Sequence, residues 1–86
     1  MKKHTKAEVR RLEAAAHKAW SAGFPTLNFP YDLDVRFGTL EREVYRDPGG
    51  AFVNREIKAL AAQVVQIKRS GKKNQEYRAR YGRYSR

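Results

Sequence analysis

Tyr31-Asp-Leu-Asp-Val-Arg-Phe-Gly-Thr-Leu-Glu-Arg-Glu-Val-Tyr-Arg46 is the stretch on which the fold class turns. Leu33, Phe37, Leu40 and Val44 step by four, three and four residues, the stripe of an amphipathic helix with Asp32 as its expected cap. Against that reading, Gly38 stands mid-segment, where glycine costs about 1 kcal/mol relative to alanine in a helix. Val35 and Phe37 also alternate with Asp34 and Arg36, so a hairpin turning at Gly38-Thr39 competes. The helical reading makes the chain all-α: a small three-helix domain over 1–70, with a basic C-terminal arm or fourth helix over 71–86. The alternative is an α+β domain with a hairpin across 33–46.

The flanks are easier to read. Asp47-Pro48-Gly49-Gly50 is a turn by its chemistry: aspartate starts turns, proline fixes φ and glycine relaxes it. A helix is expected from Ala51 or Asn54 to Arg69. Phe52, Ile57, Leu60, Ala61, Val64 and Ile67 form its inner stripe, Val53 and Val65 lie at the edges, and Gly71 is its stop. Upstream, Thr5 and Glu8 have the spacing of a capping box for a helix reaching about Ser21. Val9, Leu12, Ala16, Ala19 and Trp20 make its apolar stripe, and Gly23 is its expected C-cap. Between these helices, residues 23–31 hold two prolines and no clear period. They read as an ordered loop pinned by Phe24, Leu27 and Phe29. The expected core is Val9, Leu12, Ala16, Trp20, Phe24, Leu33, Phe37, Leu40, Val44, Phe52, Ile57, Leu60, Val64 and Ile67.

The chain has 86 residues, which suits one small domain with a thin core. It has no cysteine, which removes disulfides, thiolate zinc sites and cysteine nucleophiles and makes a cytoplasmic setting the expectation. Mean hydropathy is −0.84, and no apolar run approaches the ~18 residues of a membrane span. The basic start Met1-Lys2-Lys3 is followed by Glu8, Arg10, Arg11 and Glu13 rather than an apolar run, so no secretory signal is expected.

Net charge is +10, unevenly spread. Residues 1–20 carry six bases and two acids, residues 21–67 five and six, and residues 68–86 eight and one. A nearly neutral middle thus bears two basic ends, a pattern that points to a polyanion partner.

Three groups of residues are candidates for that contact. The C-terminal arm offers Lys68, Arg69, Lys72, Lys73, Arg78, Arg80, Arg83 and Arg86 for phosphates, interleaved with Tyr77, Tyr81 and Tyr84 for stacking on bases or packing on the domain. Asn54, Arg55, Lys58 and Gln63, on the outer face of the third helix, are residue types that read base edges. With a helical 31–46, the order helix, turn, helix loosely follows a helix-turn-helix. Lys2, Lys3, Arg10 and Arg11 are the third group, joined by Lys6.

Catalysis has little support. His4 is expected to fray, and His17 lies 13 residues away with no metal-ligand spacing to it. Asp32/Asp34 and Glu41/Glu43 read as solvated or paired acids, no serine stands on a strand-turn-helix elbow, and Gly49-Gly50 lacks the Lys-Ser/Thr of a phosphate loop. No catalytic residue, metal or cofactor is expected. The expectation is a non-enzymatic protein that binds DNA or RNA through its basic arm. The alternative is a small interaction or inhibitor module docking on an acidic protein or the ribosome. No membrane association is expected.

Overall fold

A computed structural model of the chain describes residues 2–81 and contains three helices: α1 (Lys6–Gly23), α2 (Tyr31–Arg46) and α3 (Ala51–Tyr81). The stretch 31–46 is helical, and there is no strand among the described residues. Gly38 is accommodated because it faces solvent, with nothing within 4 Å of where a Cβ would stand.

The capping box of α1 forms as expected: Glu8 N donates to Thr5 Oγ1 at 3.2 Å, and Thr5 N donates to Glu8 Oε1 at 3.3 Å. α2 begins directly after Pro30, so Asp32 lies inside its first turn and makes no cap hydrogen bond. Its charge, with that of Asp34, still suits the positive end of the helix dipole. The Asp47–Gly50 turn closes with Gly50 N donating to Asp47 O at 3.0 Å.

α1 and α3 run parallel, with α2 antiparallel to α1. Near the helix starts, His4 Nε2 meets Asn54 Oδ1 at 3.0 Å. At the far end of α1, Gly23 lies against Gly71. Arg10–Glu41 and His17–Asp34 set α1 against α2 in the opposite sense. The core between the helices is Val9, Ala16, Leu33, Phe37, Leu40, Val44, Val53, Leu60, Val64 and Ile67. Leu12, Ala15, Ala19, Trp20, Phe29 and Ile57 pack around it. Arg36 straps α2 to α3: its Nε and Nη2 donate to Glu56 at 3.1 and 2.8 Å, and that carboxylate raises the guanidinium above its usual range. No described helix is long and apolar enough to cross a membrane.

Several expectations are corrected. Gly71 does not stop α3, which continues ten residues further to Tyr81. The glycine serves close approach instead: α1 presses its own Gly23 against it, and no described glycine has positive φ. Phe52 is exposed while Val53 is buried, because the buried row of α3 runs 53, 60, 64, 67, 71, with Ile57 partly buried beside it. Phe52 and Ile57, five residues apart, point about 140° apart on a helix. Leu27 is exposed, but its carbonyl accepts the Trp20 indole N–H at 2.9 Å, so this loop residue is tied by backbone rather than side chain. Phe24 and Phe29 do hold the loop, packing on Trp20 with ring centroids 4.4 and 6.2 Å away. His4 is not frayed: its backbone N donates to Pro48 O at 2.9 Å and its ring lies between Glu8 and Asn54.

Candidate nucleic-acid interface

α3 organises the charge. Val53, Leu60, Val64, Ile67 and Gly71 form its buried row. About half a turn around the helix lie Arg55, Lys58, Arg69, Lys73 and Arg80, with Ala62, Gln66 and Tyr77 between them, all exposed. From Arg55 to Arg80 this stripe extends about 38 Å at ~1.5 Å per residue. None of its five cations pairs with a carboxylate of the described residues. Three of the nine acids are paired with other cations: Glu41 binds Arg10, Glu56 binds Arg36 and Glu43 binds Arg46. After Glu56 the sequence has one further acid, Glu76, which lies within the stripe, three residues after Lys73 and four before Arg80.

The second half of α3 leaves the body of the fold. Asn74 Nδ2 donates to Gly23 O at 2.7 Å and Gln75 Nε2 donates to Ala22 O, so two side chains satisfy the last carbonyls of α1. Beyond them α3 has no other helix beside it among the described residues. Arg78, which continues the buried row, is therefore exposed. Tyr77 and Tyr81 do not pack on the domain. Both are exposed, their rings lie 4.8 Å apart at 46°, and with Lys73, Glu76 and Arg80 they line a shallow cleft of about 170 Å³.

The remaining candidates separate. Lys68 and Lys72 turn toward α1 and flank a different groove. Asn54 is engaged within the fold: its Nδ2 donates to Gly49 O and Gly50 O at 3.2 and 3.0 Å, and its Oδ1 meets His4. That commitment takes it out of the expected base-reading set. Gln63 is exposed but off the stripe. Lys2, Lys3, Arg10 and Arg11 are exposed near the start of α1, with Arg10 Nε donating to Glu41 at 3.1 Å. Arg83, Tyr84 and Arg86 lie outside the described residues.

Spacing gave no hint of one cluster. Glu13, His17 and Asp34 bring a ligand atom each within 4.8 Å of one another across α1 and α2. His17 stacks on Phe29 at 3.8 Å, and burial, then the Glu41 charge, hold the Glu13 carboxyl above its usual range. His17 and Asp34 are exposed, and this acidic seam lies on the α1–α2 side, away from the basic stripe. Comparison with protein-family models, curated proteins and solved structures gives no match.

Proposed function

We propose that this chain is a non-enzymatic nucleic-acid-binding protein that acts in the cytoplasm and lays the outer face of α3 along phosphates. The observation that carries this reading is the stripe of Arg55, Lys58, Arg69, Lys73 and Arg80, without internal carboxylate partners, on a helix that outruns the domain. Five cations on one rigid element make a cationic track, and each phosphate they neutralise releases counterions. Tyr77 and Tyr81 stand at its free end, where aromatic faces can stack on unpaired bases.

The test is a salt titration of binding to duplex DNA, single-stranded DNA and structured RNA, comparing the full chain with an Arg55→Gln/Lys73→Gln/Arg80→Gln variant. Truncation at Ser70 would confuse the outcome, because Gly71, Asn74 and Gln75 also hold α1. Point changes on the exposed face leave those contacts alone. The variant is expected to lose at least about tenfold in affinity at low salt, with a shallower salt dependence. Equal binding by variant and parent would overturn the reading.

A further inference from the structure

α1 and α3 form a groove between them that no residue of α2 lines. Its floor is Ala15, Ala19, Ala22, Gly23 and Gly71, and its volume is about 470 Å³. The backbones come close enough at Gly23 and Gly71 that neither position tolerates a Cβ without movement, which keeps the floor shallow and smooth. Lys18 from α1 and Lys68 and Lys72 from α3 flank it, and Gln75 closes one end. None of the three lysines pairs with a carboxylate of the described residues. The same rows continue along both helices. Arg11, Ala15, Lys18 and Ala22 follow one another at steps of four, three and four on α1, as do Ala61, Val65, Lys68 and Lys72 on α3, and Val65 is 47% exposed.

We infer that this groove seats an acidic amphipathic helix of a partner protein, in the position of a fourth helix. Two parallel helices with small residues at their seam leave a trough that accepts the apolar ridge of a third, the helix-in-groove mode of recognition. The cations on both banks select an occupant with carboxylates flanking that ridge. A second copy of this chain suits the site poorly, since both copies carry +10. A nucleic acid suits it poorly too, because a phosphate backbone has no apolar ridge to cover an alanine and glycine floor. The groove is distinct from the outer stripe, so this inference does not depend on the nucleic-acid reading.

The probe is a designed 18-residue helical peptide with leucines at helical spacing flanked by glutamates. A control peptide has the same composition with that spacing scrambled. Binding of each to the full chain is followed by fluorescence anisotropy at physiological salt. The patterned peptide is expected to bind at least about tenfold more tightly than the scrambled one, a discrimination charge alone does not give. Ala22→Leu, which fills the groove without changing charge, and Lys18→Gln/Lys68→Gln/Lys72→Gln are each expected to remove that preference. Circular dichroism confirms that both variants fold. Arg55→Gln/Lys73→Gln/Arg80→Gln is expected to retain it. Equal binding of the two peptides, no binding of either, or full retention by a folded Ala22→Leu variant would overturn the inference. So would an Ala22→Leu variant that loses oligonucleotide binding as strongly as peptide binding, since that makes the groove part of the phosphate surface.

Discussion

Two glycines show how one residue type serves opposite ends. Gly71 lies where α1 and α3 touch, and a methyl group there would stand 2.9 Å from Gly23 Cα. Gly38 lies in the middle of α2 with open space around it. Gly71→Ala gains helix propensity but must push two backbones apart, so a net loss of about 1–3 kcal/mol is expected. Gly38→Ala gains the same propensity with nothing to displace, and about 0.5–1 kcal/mol of stabilisation is expected. Urea denaturation of the two variants beside the parent checks both signs. Glu13 supplies a pH-dependent case. Its carboxyl is raised above the usual range by burial first and then by the Glu41 charge, with Asp34 adding to this and His17 and Arg10 opposing it. A raised carboxylate destabilises the fold when ionised, and the penalty fades as pH falls through its folded value. Glu13→Gln is therefore expected to raise Tm at pH 7 and to lose that advantage below the carboxylate range. An advantage independent of pH would assign the gain to packing instead.

At the scale of elements, the connections between helices are made by a few side chains with several tasks. Asn54 accepts from His4 while donating to Gly49 O and Gly50 O, so it joins the chain's N-terminal segment, the turn and α3. Asn54→Ala leaves two carbonyls and an imidazole without this partner, and a loss of about 1–2 kcal/mol is expected in the same urea measurement. The sequence marked Asn54 as polar on a helix but had no means of showing that its amide was committed. The period of Leu33, Phe37, Leu40 and Val44 was legible because an amphipathic stripe is a local property. So was the Thr5–Glu8 box, whose partners lie three residues apart. Gly71 was misread for the complementary reason: a glycine that stops a helix and one that admits a neighbouring helix look alike until Gly23 is placed 48 residues away in sequence and in contact in space. The same limit applies to the groove, whose lysines come from two helices, and to the outer stripe. Arg55 and Lys58 were set apart from Lys73 and Arg80 because a helix ending at Gly71 would have divided them.

At the scale of the whole molecule, net charge and charge arrangement make different predictions. A chain at +10 attracts any polyanion, and that attraction depends on total charge more than on placement. A track of cations on one rigid helix contributes instead according to how many phosphates it meets at once. Two variants of equal net charge separate the two effects. One neutralises Arg55, Lys73 and Arg80 on the outer face of α3. The other neutralises Lys18, Arg42 and Arg46, which are exposed away from that face. Each phosphate contact contributes about 0.9 to the slope of log K against log salt for duplex DNA and about 0.7 for a single strand. Losing three contacts should therefore flatten the slope by about 2–3 in the first variant, while the second keeps the parent's slope within about 0.5. If both variants flatten equally, attraction follows net charge and the length of α3 has no part in it. If only the first does, the 38 Å track of about 1.5 Å per residue is what the polyanion reads. The choice between duplex and single strand then follows from which of them the parent chain binds more tightly at equal salt, because the slope per contact is itself larger for duplex.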